Sequence, residues 1–364
     1  MSGMFDSYAT QVRDAAAARS PLRIRGGGSK DFYGGPLAGE ILDLRSCAGI
    51  VAYEPSELVI TARGGTPLAE IEAVVAERGQ RLAFEPPHFA AATSVATSVA
   101  TIGGCVAAGL SGPGRVSAGA VRDFVLGVKL LNGRAEVLNF GGQVMKNVAG
   151  YDISRLVAGS LGTLGVLLEV SLKVLPQPVA EATLRLEAPQ EKALELMNRW
   201  AGQPLPISAT CWYDDLLTLR LSGARAAVSA ARQRLGGELV AAAEAADFWR
   251  ELREQQSQFF AGDAPLWRLS LPSVTPRLDL AGEQLIEWSG SLRWLKTGAD
   301  PSSIRATAVQ TGGHATLFRG GAELKLAAGV FQPLPPALLA LHRRLKLSFD
   351  PQGIFNPGRM YPEF

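Results

Sequence analysis

Six consecutive residues, Arg25-Gly26-Gly27-Gly28-Ser29-Lys30, combine backbone freedom, a hydroxyl and two cations. Consecutive glycines let successive backbone N–H groups turn toward one point and form a nest for an anion. Ser29 would add a hydroxyl donor, and Arg25 or Lys30 a charge. The same string also reads as a flexible surface loop. Neither familiar nucleotide fingerprint is met: the spacing to a Gly-Lys-Ser/Thr is wrong, and Asp31 stands where Gly-x-Gly-x-x-Gly needs its last glycine. A second group, Thr101-Ile102-Gly103-Gly104 with Ser111-Gly112-Pro113-Gly114, lies in a stretch (86–114) without Asp, Glu, Lys or Arg. That stretch is expected to be a buried, ligand-facing loop whose bare backbone donors suit a diphosphate; its other reading is a turn region without a ligand. Two such nests shift the expectation toward a large, doubly anionic cofactor. Two further groups are Gly159-Ser160-Leu161-Gly162-Thr163-Leu164-Gly165 and the C-terminal run Asp350 to Arg359.

The elements that must hold these groups can be outlined. Leu22–Arg25 is expected to be a strand running into the first nest, and Leu58–Ala62 another ending at Gly64-Gly65. Thr66 is expected to cap a helix with Pro67 at its first position, Leu68, Ile71 and Val75 on its inner face, and Gly79 as its stop. Val125–Leu131 and Arg134–Phe140 around Asn132-Gly133 predict a hairpin with a two-residue type I′ turn. Leu168–Val174 alternates as a strand with one buried face. These features argue against a doubly wound parallel sheet and for an α+β fold with mixed or antiparallel sheets. Helices are expected at 189–200, 223–235 and 244–259.

The 364 residues exceed one ordinary core. Residues 1–178 hold 25 of the 40 glycines, and all six tryptophans follow, so Pro176-Gln177-Pro178 reads as a linker. With 47% hydrophobic and 19% charged residues, wholesale disorder is excluded. A net charge of +2 argues against binding by phosphate neutralisation on nucleic acid. Cys47, Cys105 and Cys211 are too scattered for disulfides or an iron–sulfur cluster, and three histidines leave little for a metal site. No metal is expected, and a reducing, cytoplasmic setting fits. No secretory signal or spanning helix is visible.

Taken in order, five motifs resemble the FAD-binding domain of the vanillyl-alcohol-oxidase, or p-cresol-methylhydroxylase (PCMH), type. They are Arg-Gly-Gly-Gly-Ser at 25–29, Thr-Ile-Gly-Gly at 101–104, Lys-Asn-Val-Ala-Gly-Tyr-Asp at 146–152, Gly-Ser-Leu-Gly-Thr-Leu-Gly-Val at 159–166 and Gly-Ile-Phe-Asn-Pro-Gly-Arg at 353–359. The resemblance implies a PCMH-type domain of two α+β subdomains over 1–178, a second, cap-like α+β domain over 179–340, and a segment at 341–364 returning to the flavin. It implies non-covalent FAD with its pyrophosphate on Arg25, Gly26, Gly27, Gly28 and Ser29. Gly103, Gly104, Ser111 and Gly112 would close on it from the other side, Val166 would meet the adenine through its backbone, and Asn356 would lie near the ring. Arg359 has two readings, a cation beside the flavin or a solvated tail residue. Lys146, Tyr151 and Asp152 are read as bracing the fold.

Relatives that oxidise D-lactate or D-2-hydroxyglutarate carry a histidine-rich motif absent here, and a Gly-Ser-Glu-Gly where this chain has Leu161. His314 is the imidazole available for proton transfer in the late second domain, with a structural role as the alternative; His88 is read as packing. The resemblance implies an FAD-binding subunit of a complex oxidising glycolate to glyoxylate, with a larger flavin-dehydrogenase subunit and an iron–sulfur subunit as partners and any membrane contact made through them. The alternatives are an independent FAD-linked 2-hydroxyacid dehydrogenase and a non-catalytic subunit. The tryptophan-rich second domain is the expected docking surface, unless its tryptophans fill its own core.

Overall fold

The computed structural model describes residues 2–89, 99–142 and 152–364. Lys146 and Tyr151 lie outside the described residues. The first nest hangs from a parallel pair, β1 (Leu22–Arg25) and β2 (Glu40–Asp43). The C-terminal segment lies against β1: the Leu22 amide donates to the Ile354 carbonyl (2.7 Å), and the Asn356 amide to the Leu22 carbonyl (2.9 Å).

Next come β3 (Ile50–Glu54), β4 (Val59–Arg63), the short β5 (Gln80–Arg81), β6 (Val125–Leu131), β7 (Val137–Gly141), β8 (Val166–Lys173) and the short β9 (Leu175–Pro176), which pairs with β5. Five of them form an antiparallel sheet in the order β3-β4-β8-β6-β7. The helix after β4 runs Leu68–Ala76 and buries Leu68, Ile71 and Val75 as the spacing predicts. Thr66 is not its cap. The Thr66 hydroxyl instead accepts from the Gly49 amide (2.9 Å) and donates to the Gly49 carbonyl (3.1 Å), and Pro67 takes the cap position.

The β6–β7 hairpin forms, but not on a two-residue turn. Leu131 pairs with Val137, so 132–136 is the loop. The Asn132 side-chain oxygen accepts from the amides of Arg134 (2.9 Å) and Glu136 (3.0 Å), an Asx-type closure that competes with the tight turn. In β8 the alternation holds from Glu169 onward. At Leu168 the pairing with β6 slips by one residue, and this bulge sends Leu168 to the core under the N-terminal helix (Ser2–Ala18) while Leu167 joins Val170 and Leu172 on the other face.

The second sheet has eight antiparallel strands: β10 (Ala180–Glu187), β11 (Ile207–Tyr213), β12 (Leu216–Gly223), β13 (Glu238–Leu239), β14 (Leu266–Ser270), β15 (Glu283–Glu287), β16 (Leu292–Lys296) and β17 (His314–Arg319). Their order is β13-β10-β12-β11-β15-β16-β14-β17. Helices Gln190–Ala201, Arg225–Leu235 and Ala242–Glu254 fall close to the expected spans. Helices Pro301–Gln310, Ala322–Ala328 and Pro336–Phe349 carry no expectation from the sequence. All six tryptophans are core residues, 0–7% exposed, so they form no docking surface. The exposed large apolar residues here are instead leucines and valines, among them Val274, Leu326, Leu341 and Leu347.

Buried contacts join the two sheets' layers. Glu85 meets Arg220 at 2.5 Å, and the Glu254 carboxylate accepts from the amides of His88 (3.0 Å) and Phe89 (2.7 Å). Tyr33, Phe89, Leu110 and Leu161 share one apolar cluster with Trp249, Trp288, Trp294 and Phe318. Among the described residues, no helix is long and apolar enough to cross a membrane.

Candidate functional site

The end of β1 opens into a cavity lined by Arg25, Gly26, Gly27, Gly28, Ser29, Lys30, Thr101, Gly104, Asn356 and Arg359. The amides of Gly26, Gly28, Ser29 and Lys30 have no protein acceptor among the described residues. Gly28 sits at φ +78°, where other residues are strained, and so turns the chain to aim these donors. Glycine serves a different purpose at 26 and 27. A Cβ at Gly26 would lie 2.2 Å from the Thr101 hydroxyl, and at Gly27 1.5 Å from the Val99 carbonyl, so the loop rests directly on the backbone of 99–101.

Charge at the cavity is asymmetric. Lys30 lines the cavity and is half-buried; burial lowers its pKa, and no carboxylate pairs with it among the described residues. Its ammonium lies 3.3 Å from the Ser29 hydroxyl. The lone acid of the lining, Asp31, is engaged by Arg23 (2.5 Å) and Arg25 (3.3 Å). Four open amides, a half-buried ammonium without an ion pair and a hydroxyl are the donor set of a diphosphate site. The residues present therefore fit the anionic part of FAD.

The segment expected to be a loop contains a helix, Ile102–Ala108. Gly103 lets it seat on β4: a Cβ there would lie 2.7 Å from the Gly64 carbonyl, to which the Gly103 amide donates (2.8 Å). Gly104 faces the cavity, where a Cβ would meet only the Thr101 hydroxyl at 3.3 Å. A contiguous recess is lined by Gly103, Gly104, Leu161, Gly162, Gly165, Leu167 and Asn356. Val166 does not line it. That residue is fully buried in the core and paired to Leu131, while its neighbours Gly165 and Leu167 face the recess.

The C-terminal segment closes the site. The Asn356 side chain accepts from the Ile24 amide (2.8 Å) and donates to the Leu161 carbonyl (2.7 Å), tying β1 to the 159–165 loop. Arg359 is neither a solvated tail nor free to meet a ring. It is buried, its guanidinium donates to the carbonyls of Asp31, Tyr33 and Gly35, and burial pulls its pKa down to about 10. Its place is to brace the turn after the nest. Behind it, the Lys346 ammonium pairs with Asp350 (2.7 Å) and donates to the carbonyls of Thr163 and Phe355 (each 2.8 Å).

Ser111 and Gly112 lie elsewhere. They line a second cavity, between the two sheets, with Phe89, Arg268, Glu287 and Trp288. The Ser111 hydroxyl accepts from the Val121 amide (3.0 Å), and the Gly112 carbonyl accepts from the Trp288 indole (3.1 Å). Glu287 accepts from the Trp294 indole (2.7 Å), and burial pushes its carboxyl up to about 7. The Tyr33 hydroxyl lies beside Arg268, one of the residues lining this cavity. Trp288 and Ser289 both have positive φ, 52° and 55°, costing on the order of 1–3 kcal/mol each. No motif marks Tyr33, Arg268, Glu287 or Trp288; a strained, buried aromatic cannot be read from residue type.

His314 is exposed at the start of β17 and lines neither cavity. His88 pairs with Glu72 (3.1 Å), a packing role. Burial pushes the Cys105 thiol up to about 12, and it too lines neither cavity. Asp152 caps the short helix Ile153–Leu156. Among the described residues, no cluster of three His, Cys, Asp or Glu could hold a metal.

Comparison with known proteins agrees with the donor set. Residues 6–141 match the FAD binding domain family, and residues 332–360 the C-terminal domain of FAD linked oxidases. The chain is 51% identical to glycolate oxidase subunit GlcE of Escherichia coli (strain K12) across 97% of this chain and 96% of that one. It is 30% identical to glycolate oxidase subunit GlcD of Bacillus subtilis (strain 168), across 46% of this chain and 34% of that one. A solved alkyldihydroxyacetonephosphate synthase shares the fold with a TM-score of 0.64 at 14% identity, covering 97% of this chain and 75% of that chain.

Proposed function

The chain belongs to the family of glycolate oxidase subunit GlcE, and on that premise we propose that it is the FAD-holding subunit of a complex oxidising glycolate to glyoxylate. The observation that carries the reading is the nest at 25–30, where the open amides of Gly26, Gly28, Ser29 and Lys30 share one cavity with the unpaired Lys30 ammonium. Arg25, Gly26, Gly27, Gly28, Ser29 and Lys30 would hold the diphosphate. Gly103 and Gly104 would let the adjoining helix approach it, and Asn356 would keep β1 and the 159–165 loop at a fixed spacing. When bound, the flavin supplies the two-electron acceptor that oxidation of a 2-hydroxy acid requires. Glu287, with its carboxyl near 7, is the group beside the second cavity suited to exchange a proton near neutral pH.

Attachment would be non-covalent, since neither histidine nor cysteine lines the nest cavity or the adjoining recess. The three cysteines are free and buried, so electrons would leave through an iron–sulfur partner beside a larger flavin subunit, and any membrane association would come through those partners. The reading is tested by purifying the chain. A flavin spectrum whose colour is lost from the pellet on acid precipitation supports it; a colourless chain that takes up no added FAD overturns it. A second reading, that the isolated chain oxidises the acid itself, is favoured by the cavity holding Arg268 and Glu287. Anaerobic bleaching of the chain's flavin by glycolate would establish it; flavin that stays oxidised would leave turnover to the assembled complex.

A further inference from the structure

We propose that the groove along helix Ala242–Glu254 is a binding site for a small amphipathic anion, an acid carrying an aromatic or aliphatic body. The groove has a volume of about 610 Å³, within the range of small-molecule sites, roughly 300–1,000 Å³. It lies between that helix, strands β10, β12 and β13, and helix Arg225–Leu235. Its lining shares one residue, Arg253, with the cavity between the sheets and none with the nest cavity.

One wall is a helix face built mainly from small residues. Ala242, Ala245, Ala246, Trp249, Arg250 and Arg253 line the groove at helical spacing, over about 16 Å at 1.5 Å per residue. Helix Gln190–Ala201, packed on the same sheet, instead buries Leu194, Met197 and Trp200. Alanine stands here where such side chains would fill the space, so the groove stays open. Leu239, 48% exposed, continues its apolar lining.

Charge in the groove is positive. Arg220, Arg232, Arg250 and Arg253 line it against two carboxylates, Glu85 and Glu181. Both carboxylates are engaged: Glu85 by Arg220 (2.5 Å) and the Gly114 amide (2.7 Å), Glu181 by the Ser222 hydroxyl (2.7 Å). Arg232 has no ion pair among the described residues.

Arg220 points to the ligand most directly. It is 8% exposed, its Nε donates to the Ser208 hydroxyl (3.0 Å) and its Nη2 to Glu85, while its Nη1 has no partner among the described residues. A buried donor left open is costly, and an anionic oxygen in the groove would supply the missing acceptor. The same guanidinium lies 5.2 Å from the Trp249 ring centroid, so charge and apolar surface meet at one place. The helix adds backbone donors. Its cap residue, Ala241, has no side chain able to cap, and the amides of Ala242, Ala243 and Glu244 have no acceptor among the described residues. Ala241 and Ala242 line the groove, and open first-turn amides favour an anion there.

The test is calorimetric titration of the full-length chain with phenylbutyrate, an aromatic ring and a carboxylate joined by a short chain. Saturable binding is expected. Phenylbutanol, which lacks the charge, and butyrate, which lacks the ring, should each bind at least about tenfold more weakly. Ala246→Trp should fill the groove and abolish binding, which places the site here. Arg220→Lys keeps a charge against Glu85 but loses the planar fork, and should weaken binding about tenfold. Arg232→Ala removes an exposed charge and should weaken it about threefold. Far-UV dichroism serves as the folding control. No saturable binding to wild type would overturn the inference. So would phenylbutanol binding as tightly as the acid, or a folded Ala246→Trp that binds like wild type. If Ala246→Trp does not fold, Arg220→Lys decides, and an unchanged affinity overturns the inference. The groove shares no residue with the nest cavity, so none of these outcomes bears on the FAD reading.

Discussion

The nest at 25–30 and the cavity around Trp288 are built on opposite plans. The nest presents backbone amides from one short run, aimed by Gly28 at φ +78° and seated on 99–101 because Gly26 and Gly27 have no Cβ. The cavity presents side chains: Arg268 from the middle of β14 and Glu287 from the end of β15. A backbone site fails when a side chain is added. A side-chain site fails when one is removed.

The sharpest way to break that distinction is Gly27→Ala. Its Cβ would lie 1.5 Å from the Val99 carbonyl, and backbone cannot yield as a flexible side chain can. The variant is expected to lose flavin retention and at least about 1–3 kcal/mol of stability; a full flavin complement after purification would remove Gly27 from the site. Next comes Asp350→Ala, which strands the Lys346 ammonium, since the pair's side chains are 4% and 0% exposed. Urea unfolding should show a loss of about 3–5 kcal/mol. An unchanged midpoint would mean the C-terminal segment is not what closes the nest.

Gly104→Asp separates ligand exclusion from folding. Its Cβ has room, with one contact at 3.3 Å, but its carboxylate would enter the cavity. Flavin content should collapse while stability of the flavin-free chain changes by about 1 kcal/mol or less; equal loss of both would make Gly104 a packing residue.

For the side-chain cavity, the measurement is pH dependence. The Glu287 carboxyl rises from 4.5 to about 7 on folding because burial disfavours its charge. The folded state therefore holds a proton that the unfolded chain has lost across that window. Stability from this group is full below about 4.5 and declines as pH rises to about 7. Glu287→Gln should flatten the slope in that window, and an unaltered slope would show the carboxyl to be ionised already. The smallest effect belongs to His314→Ala, expected within about 0.5 kcal/mol of wild type and without change in flavin content. A larger effect would bring back the imidazole that the fold leaves at an exposed strand end.

The sequence by itself determined the nest, the strand that feeds it, the family and the inner face of helix Leu68–Ala76. Each rests on local chemistry, because a run of glycines opens φ and a 3.6-residue repeat makes one helix face apolar wherever it is placed. The hairpin was legible as well, but not its loop, because the Asn132 side chain satisfied two amides that a type I′ turn would have left open. Tertiary structure alone decided what residue type does not encode. It placed Val166 in the core beside the recess, withdrew Ser111 and Gly112 to another cavity, buried the tryptophans and spent the guanidinium of Arg359 on three carbonyls. It also chose which arginines meet a carboxylate and which do not. Pairing of that kind depends on side chains brought together by strand order and the packing of one sheet's layer on another. Arg220 and Arg268 look alike in the chain, and only the fold gives one of them Glu85 and sets the other on Trp288.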